Sequence, residues 1–387
     1  MKNLYFDYCA SAPSYPEVNQ LVFDISSTIF GNPSSNHEHG YQAKQLVDRS
    51  RKIVSSILNV EESEVIFTSG ATESNNLAIH GVLNVLMINN VEQKPLHVII
   101  SDIEHSSVYN CLQLLENKNL EVSYLPVDSN GIVSVSSVKE AIKDNTVLIS
   151  IMHVNNETGA IQPIEEIGEL LKMYKDIVFH VDGVQGFGKV KLDLTNVGMY
   201  TLSGHKIGGP KGTGVLVAKN NIEIAPLLHG GGQEFGVRPG TVNVPGVVGL
   251  AEAIKITDMA KEASIKKIIL LNAFLYTELK NIPEIVLNSP PYPLSSPHII
   301  NFSYPGVTSA FILNYLSKRG IMASSQSACS SQENKASRVL MSITKDESIA
   351  SSGVRVSLHE TVDLEDIEYL VRSISDMICD LSGMRIG

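Results

Sequence analysis

Cysteine is scarce in this chain: four among 387 residues, at Cys9, Cys111, Cys329 and Cys379. Thiols so few and so far apart form neither a disulfide framework nor a CxxC pair, and they suit a reducing compartment. Charge is also sparse, at 18% of residues, with 41 acidic against 30 basic side chains. That balance argues against a broad nucleic-acid surface, though not against a local basic patch for a protein partner. Long apolar runs are missing too, since none approaches the ~18 residues of a membrane span. The opening "MKNLYFDYCASAP" has no apolar core of a signal peptide. A soluble, cytoplasmic protein with no membrane contact and no direct nucleic-acid contact is the expectation. What is present, 43% hydrophobic residues with 28 Gly and 16 Pro, reads as a globular enzyme with room for two domains.

From about residue 60 to 220, short apolar runs alternate with helix-like stretches. "EVIFTSG", "HVIISD", "EVSYLPVD", "TVLISIMHV" and "IVFHVDG" each carry several apolar or β-branched residues and stop at Gly, Asp or Asn. Between them, "ESNNLAIHGVLNVLMINN" and "IEEIGELLKMYKD" repeat their apolar residues at three and four. Such alternation implies an α/β fold with a mostly parallel sheet covered by helices. A long helical pattern beginning "VPGVVGLAEAIK" then leads to "HIINFSY", "SAFILNYLSKRG", "VRVSL" and "DLEDIEYLVRSISDMICDL", an α+β module. The expected division is a large domain over 14–257 and a smaller one from 1–13 and 258–387.

Ligands of open α/β sheets bind beyond the carboxyl ends of the strands. "FTSGATESNN" places Gly70, Ala71 and Thr72 between a strand and a helix, where backbone N–H groups can cradle a phosphate. Many α/β turns share that pattern, so it is weak alone. "FHVDGVQG" leaves Asp182 at the end of a buried strand, either as an N-cap or core ion pair or as a functional carboxylate. In "TLSGHKIGGPKGTG", Lys206 lies 24 residues beyond Asp182, among glycines and apolar residues, after Ser203 and His205. A lysine so placed has a lowered pKa and can attack a carbonyl. Phosphate cradle, aspartate and lysine together suit pyridoxal 5'-phosphate (PLP). "HEHG" can be read as a metal site or as a turn, and no metal is expected.

Nearly end to end, the chain resembles the NifS/IscS cysteine desulfurases, which are fold-type I PLP enzymes. The resemblance is carried by "GNPSSNHEHG", "SGATESNN", "IEHSSV", "NNETGAIQPI", "HVDGVQ", "SGHKIGGPKGTG", "RPGTVNVPGVVGLAEA", "SSQSACSS" and "RVSL", in the family's order. It implies a large domain with a mostly parallel sheet plus a smaller α+β domain. By the same resemblance, Lys206 forms the Schiff base with PLP, Asp182 pairs with the pyridine nitrogen and Gln185 bonds the ring hydroxyl. His105 stacks on the ring and takes part in catalysis. Ala71, Thr72, Ser203 and His205 hold the phosphate, joined by Thr241 from a second subunit of a homodimer. Asn32, Asn155 and Arg355 hold the substrate carboxylate, Asn155 also touching the cofactor.

Cys329 stands alone in the polar stretch "SQSACSSQ". The resemblance makes it the nucleophile that takes sulfur from L-cysteine, leaving L-alanine and a persulfide for an acceptor protein docking nearby. A serine-rich loop suits a nucleophile that must reach in and swing out. The chain also departs from the family: "DYCASAP" for the usual "DYAATTP", "SSQSAC" for "SSGSAC", and "RVSLHE" for "RVSLGR". These changes leave the acceptor open among iron–sulfur assembly, tRNA thiolation and DNA phosphorothioation. Rival readings are a selenocysteine lyase or related fold-type I enzyme and a non-catalytic sulfur-carrier scaffold.

Overall fold

Runs of β-branched residues become strands here because helices cover the sheet on both sides and the inner strands are buried on both faces. The computed structural model describes residues 3–89, 95–117, 119–191, 193–325 and 336–384. A short strand, β1 (Leu4–Tyr5), precedes seven that form the main sheet. They are β2 (Val65–Thr68), β3 (Leu96–Ser101), β4 (Leu120–Leu125) and β5 (Thr146–Ser150). Then come β6 (Val178–Asp182), β7 (Met199–Ser203) and β8 (Gly214–Ala218). Their spatial order is β2-β8-β7-β6-β5-β3-β4. Strands β3 to β7 pair in parallel, whereas β8 runs antiparallel to both β7 and β2. The sequence reading names β2 to β6 and passes over β7 and β8, whose apolar runs flank the glycine-rich turn.

Each face of the sheet has its own core. On one, Val47 and Val54 of helix Glu38–Leu58 pack with Ile164, Ile167 and Leu250 against Val181 and Val215. On the other, Leu77, Val82 and Leu83 of helix Ala71–Asn89 meet Val108 and Leu112 over Ile100 and Leu216.

Four further strands, β9 (Val286–Leu287), β10 (Ile299–Ser303), β11 (Ile321–Met322) and β12 (Gly353–Ser357), belong to the second module. β10 lies between β9 and β12, antiparallel to both, and β1 pairs in parallel with β11. Phe6, Phe302, Leu316, Val356 and Ile374 share its core. One helix, Val244–Lys280, joins the modules. Its early residues Val247, Leu250 and Ile254 enter the first core, and its later residues Leu271, Leu275 and Leu279 enter the second. The expected boundary at 257/258 falls inside this helix, between those two sets. Among the described residues, no helix is long and apolar enough to cross a membrane.

Candidate active site

A cavity of about 530 Å3 opens beyond the carboxyl ends of the main strands. Gly70, Ala71 and Thr72 after β2, His105 after β3, Asp182 and Gln185 at β6, and Ser203, His205 and Lys206 at β7 all line it. Arg355 enters from β12, and Cys9 and Ala10 from the N-terminal segment. Ten of the residues expected from the sequence, Gly70 among them, therefore share one space.

Lys206 projects from the tight turn after β7, and its Nζ donates to the carbonyls of Cys9 at 2.5 Å and Ala10 at 2.9 Å. Burial pulls its pKa down to about 8; Cys9 opposes the shift and Arg355 adds to it. Asp182 ends β6 and is buried. Its Oδ2 accepts from Asn75 Nδ2 at 2.8 Å, and its Oδ1 from the Val184 amide at 3.1 Å. Neither partner is cationic, which leaves the carboxylate able to meet a protonated ring nitrogen. Gln185 donates from Nε2 to the Cys9 carbonyl at 3.1 Å and lies 3.3 Å from His298 Nε2 through Oε1.

Ala71 and Thr72 line the same cavity and open helix Ala71–Asn89, whose first-turn amides have no partner within the helix. Ser203 lines the cavity too, its hydroxyl buried with no hydrogen-bond partner among the described residues. Burial, then Lys206 and Lys211, bring His205 down to about 4, so it is neutral at pH 7. His105 caps helix Ser106–Leu115 through Nδ1, which accepts from the Ser107 amide at 3.1 Å. Its pKa is lowered, chiefly by burial.

Arg355 is 1% exposed. NH1 donates to the Asn156 carbonyl at 2.8 Å, and NH2 to Asp7 Oδ1 at 2.9 Å and Ser324 Oγ at 2.8 Å. Its Nε has no partner among the described residues.

Three expected residues do not line this cavity. Asn155 is fully buried in its turn: Nδ2 donates to the Ile103 carbonyl, and Oδ1 accepts from the Glu157 and Thr158 amides. Its neighbour Asn156 stands at the cavity instead. Asn32 is exposed and turns its Oδ1 to the Ser34 amide. Thr241 is exposed and lines an adjoining cavity of about 230 Å3 that shares Ser69 and Gly212 with the first. Cys329 and Gln326 lie outside the described residues. In "HEHG", His37 Nδ1 accepts from the Gly40 amide as a helix cap, and His39 packs against Phe30.

Sequence reasoning missed Asp7, Asn75, Glu104 and Ser324. Glu104 is buried beside His105, and burial pushes its pKa to about 8. Only Asn75 had a readable signal, since it follows Ala71 by four residues and so shares its helix face.

A strand-end cavity thus gathers a lysine of lowered pKa, a buried aspartate, the start of a helix and a buried arginine on one α/β sheet. The aminotransferase class-V family model matches residues 4–370. The chain is 39% identical over 381 residues to "Cysteine desulfurase IscS" of Clostridium botulinum, covering 97% of this chain and 94% of that one. A solved "NifS-like protein" superposes with a TM-score of 0.90 at 32% identity, covering 98% of this chain and all of that one. A structure titled "SspA in complex with cysteine" matches with a TM-score of 0.79 at 36% identity, over 92% of this chain and 98% of the other. The chain belongs to the class-V aminotransferases and, among them, to the NifS/IscS cysteine desulfurases, with their fold-type I architecture.

Proposed function

We propose that this protein is a PLP-dependent cysteine desulfurase in which Cys329 receives the sulfur of L-cysteine. The observation that carries the reading is Lys206, Asp182 and the Ser203 hydroxyl, which has no partner among the described residues, around one strand-end cavity. Those residues fit the cofactor. A buried hydroxyl with no hydrogen-bond partner among the described residues, in a cavity that the start of helix Ala71–Asn89 also lines, suits a phosphate, and an aspartate whose two partners are uncharged suits a ring nitrogen. Lys206, with its pKa near 8, keeps enough neutral amine to attach the cofactor's aldehyde. Bound there, PLP supplies an electron-accepting ring that weakens the bond between substrate carbon and sulfur.

The chain's own groups do the rest. Arg355 would hold the substrate carboxylate with the N–H groups it does not spend on the described residues, and His105 would stack on the cofactor ring. The flanks of the Cys329 segment are tied to the same region. Ser324 bonds Arg355, Ser337 Oγ donates to Glu157 at 2.5 Å, and the Arg338 guanidinium lies 3.8 Å over the Tyr109 ring. One Cys329 thiol and one L-cysteine become one persulfide and one L-alanine, so the step needs no outside oxidant or reductant.

Thr241 and Asn32 do not reach their own chain's cavity, which supports a homodimer in which a second copy supplies such contacts. We divide the chain within helix Val244–Lys280, where its buried face changes core. Cys9 and Cys111 are buried free thiols and Cys379 is an exposed one, which suits a reducing, cytoplasmic setting for a thiol nucleophile. The persulfide then passes to an acceptor protein at the Cys329 segment, in iron–sulfur assembly, tRNA thiolation or DNA phosphorothioation. Borohydride reduction of the yellow holoenzyme followed by peptide mapping tests the site. The label is expected on Lys206; a label on another lysine, or no bound cofactor, would overturn the assignment.

A further inference from the structure

Asn75 is fully buried on helix Ala71–Asn89, between two groups of the cofactor site. Its Nδ2 donates to Asp182 Oδ2 and to Ser107 Oγ, each at 2.8 Å. Its Oδ1 is buried without a partner among the described residues. Exchanging the amide oxygen and nitrogen would point a carbonyl at a carboxylate, so the amide can sit only one way round. Both of its N–H bonds are then spent, one on each neighbour.

The consequence passes through Ser107. Its Oγ accepts from Asn75 and lies 2.8 Å from His105 Nδ1. The Ser107 amide can only donate, and it does so to the same nitrogen at 3.1 Å, so Nδ1 presents a lone pair and the Ser107 hydroxyl turns its proton to it. Two donors converging on Nδ1 leave no room for a proton there. A neutral His105 ring must carry its hydrogen on Nε2, which has no protein partner among the described residues. The charged groups around the ring divide: Asp182 favours the imidazolium, while Lys206, Arg338 and Arg355 oppose it along with burial.

We infer that Asn75 is a positioning residue that holds the Asp182 carboxylate and, through Ser107, fixes His105 with its N–H at Nε2. His105 thus presents a donor, not a lone pair, to whatever occupies the cavity. Asparagine is required because neither leucine nor aspartate offers two N–H bonds in that place. The inference rests on the reading that this cavity holds PLP, and its test separates the two.

The experiment is nitrogen-15 NMR of the histidine rings in the full-length protein, before and after PLP is added, with His105 assigned by its absence in His105→Gln. The wild type is expected to show His105 protonated at Nε2 and bare at Nδ1. Asn75→Asp puts an acceptor where two donors stood, so Ser107 turns its hydroxyl to the new carboxylate and His105 loses a donor. Its ring should then titrate at higher pH, and PLP should be held about tenfold more weakly. Ser107→Ala, a smaller change that keeps the backbone donor, should raise the His105 titration without altering the Asp182 contact. Overturning results are a wild-type ring protonated at Nδ1, or an Asn75→Asp protein with unchanged His105 titration and unchanged PLP affinity. If the wild type binds no PLP at all, the functional reading fails, while the ring-nitrogen pattern still decides the network.

Discussion

Arg355 has more hydrogen-bonding capacity than the described residues use. Three of its contacts fix the plane of the guanidinium, and the idle buried Nε leaves it short of a partner that a substrate carboxylate would supply. A lysine there would offer one mobile point charge and abandon Asp7, Ser324 or the Asn156 carbonyl. Arg355→Lys is expected to raise KM for cysteine at least about tenfold while leaving the cofactor spectrum nearly unchanged. An unchanged KM would mean that another group holds the carboxylate. At this scale the sequence was legible where chemistry demands a residue type, as for Lys206, Asp182 and Arg355. It was silent where a residue matters through its partner. Asn75 meets a side chain 107 positions away, and Asp7 one 348 positions away. The adjacent Asn155 and Asn156 are alike in type; the turn closed by Gly159, at φ +78°, decides which one faces the cavity.

Among the elements, the turn after β2 and the start of β8 are built as a pair. Gly70 adopts φ +149°, which glycine accepts readily. Gly214 of β8 lies so close that an added Cβ would sit 2.7 Å from the Gly70 Cα. Backbone, not a flexible side chain, would have to move. Gly214→Ala is expected to cost about 1–3 kcal/mol of stability and to weaken PLP binding, since the displaced turn carries Ala71 and Thr72. Calorimetry and PLP titration check it; a variant with normal stability and affinity would show that the turn does not depend on this packing. The strand-then-glycine signature of the turn was readable. The antiparallel insertion of β8 was not, because strand direction leaves no mark in composition or periodicity.

The whole molecule carries a titration of its own through buried histidines. Burial pulls His153 and His180 to about 4 and His298 well below the usual value. Each is neutral when folded at pH 6, whereas in the unfolded chain it takes up a proton near 6.5. Their stabilising contribution is complete above about pH 6.5 and is lost as pH falls toward 4. Glu104, raised to about 8 by burial, acts in the opposite sense: its contribution is present in acid and lost as pH rises toward 8. The melting temperature is expected to fall on going from pH 7 to pH 5, and a flat or rising trend would contradict this assignment of neutral buried rings. The two-module architecture was legible at this scale because strand–helix alternation up to about residue 220 and the long helical pattern that follows it are properties of long segments.

Sulfur transfer itself is tested most directly with Cys329→Ser. Wild-type protein given L-cysteine and a reductant is expected to release sulfide and alanine in equal amounts. The serine variant should still bind PLP and bind cysteine, because Lys206 and Arg355 are untouched, yet produce almost no sulfide or alanine. Serine stays protonated at neutral pH and is a poor nucleophile toward sulfur. Undiminished turnover in the serine variant, or a persulfide trapped on Cys9, Cys111 or Cys379 instead, would contradict the assignment of Cys329 as the sulfur acceptor.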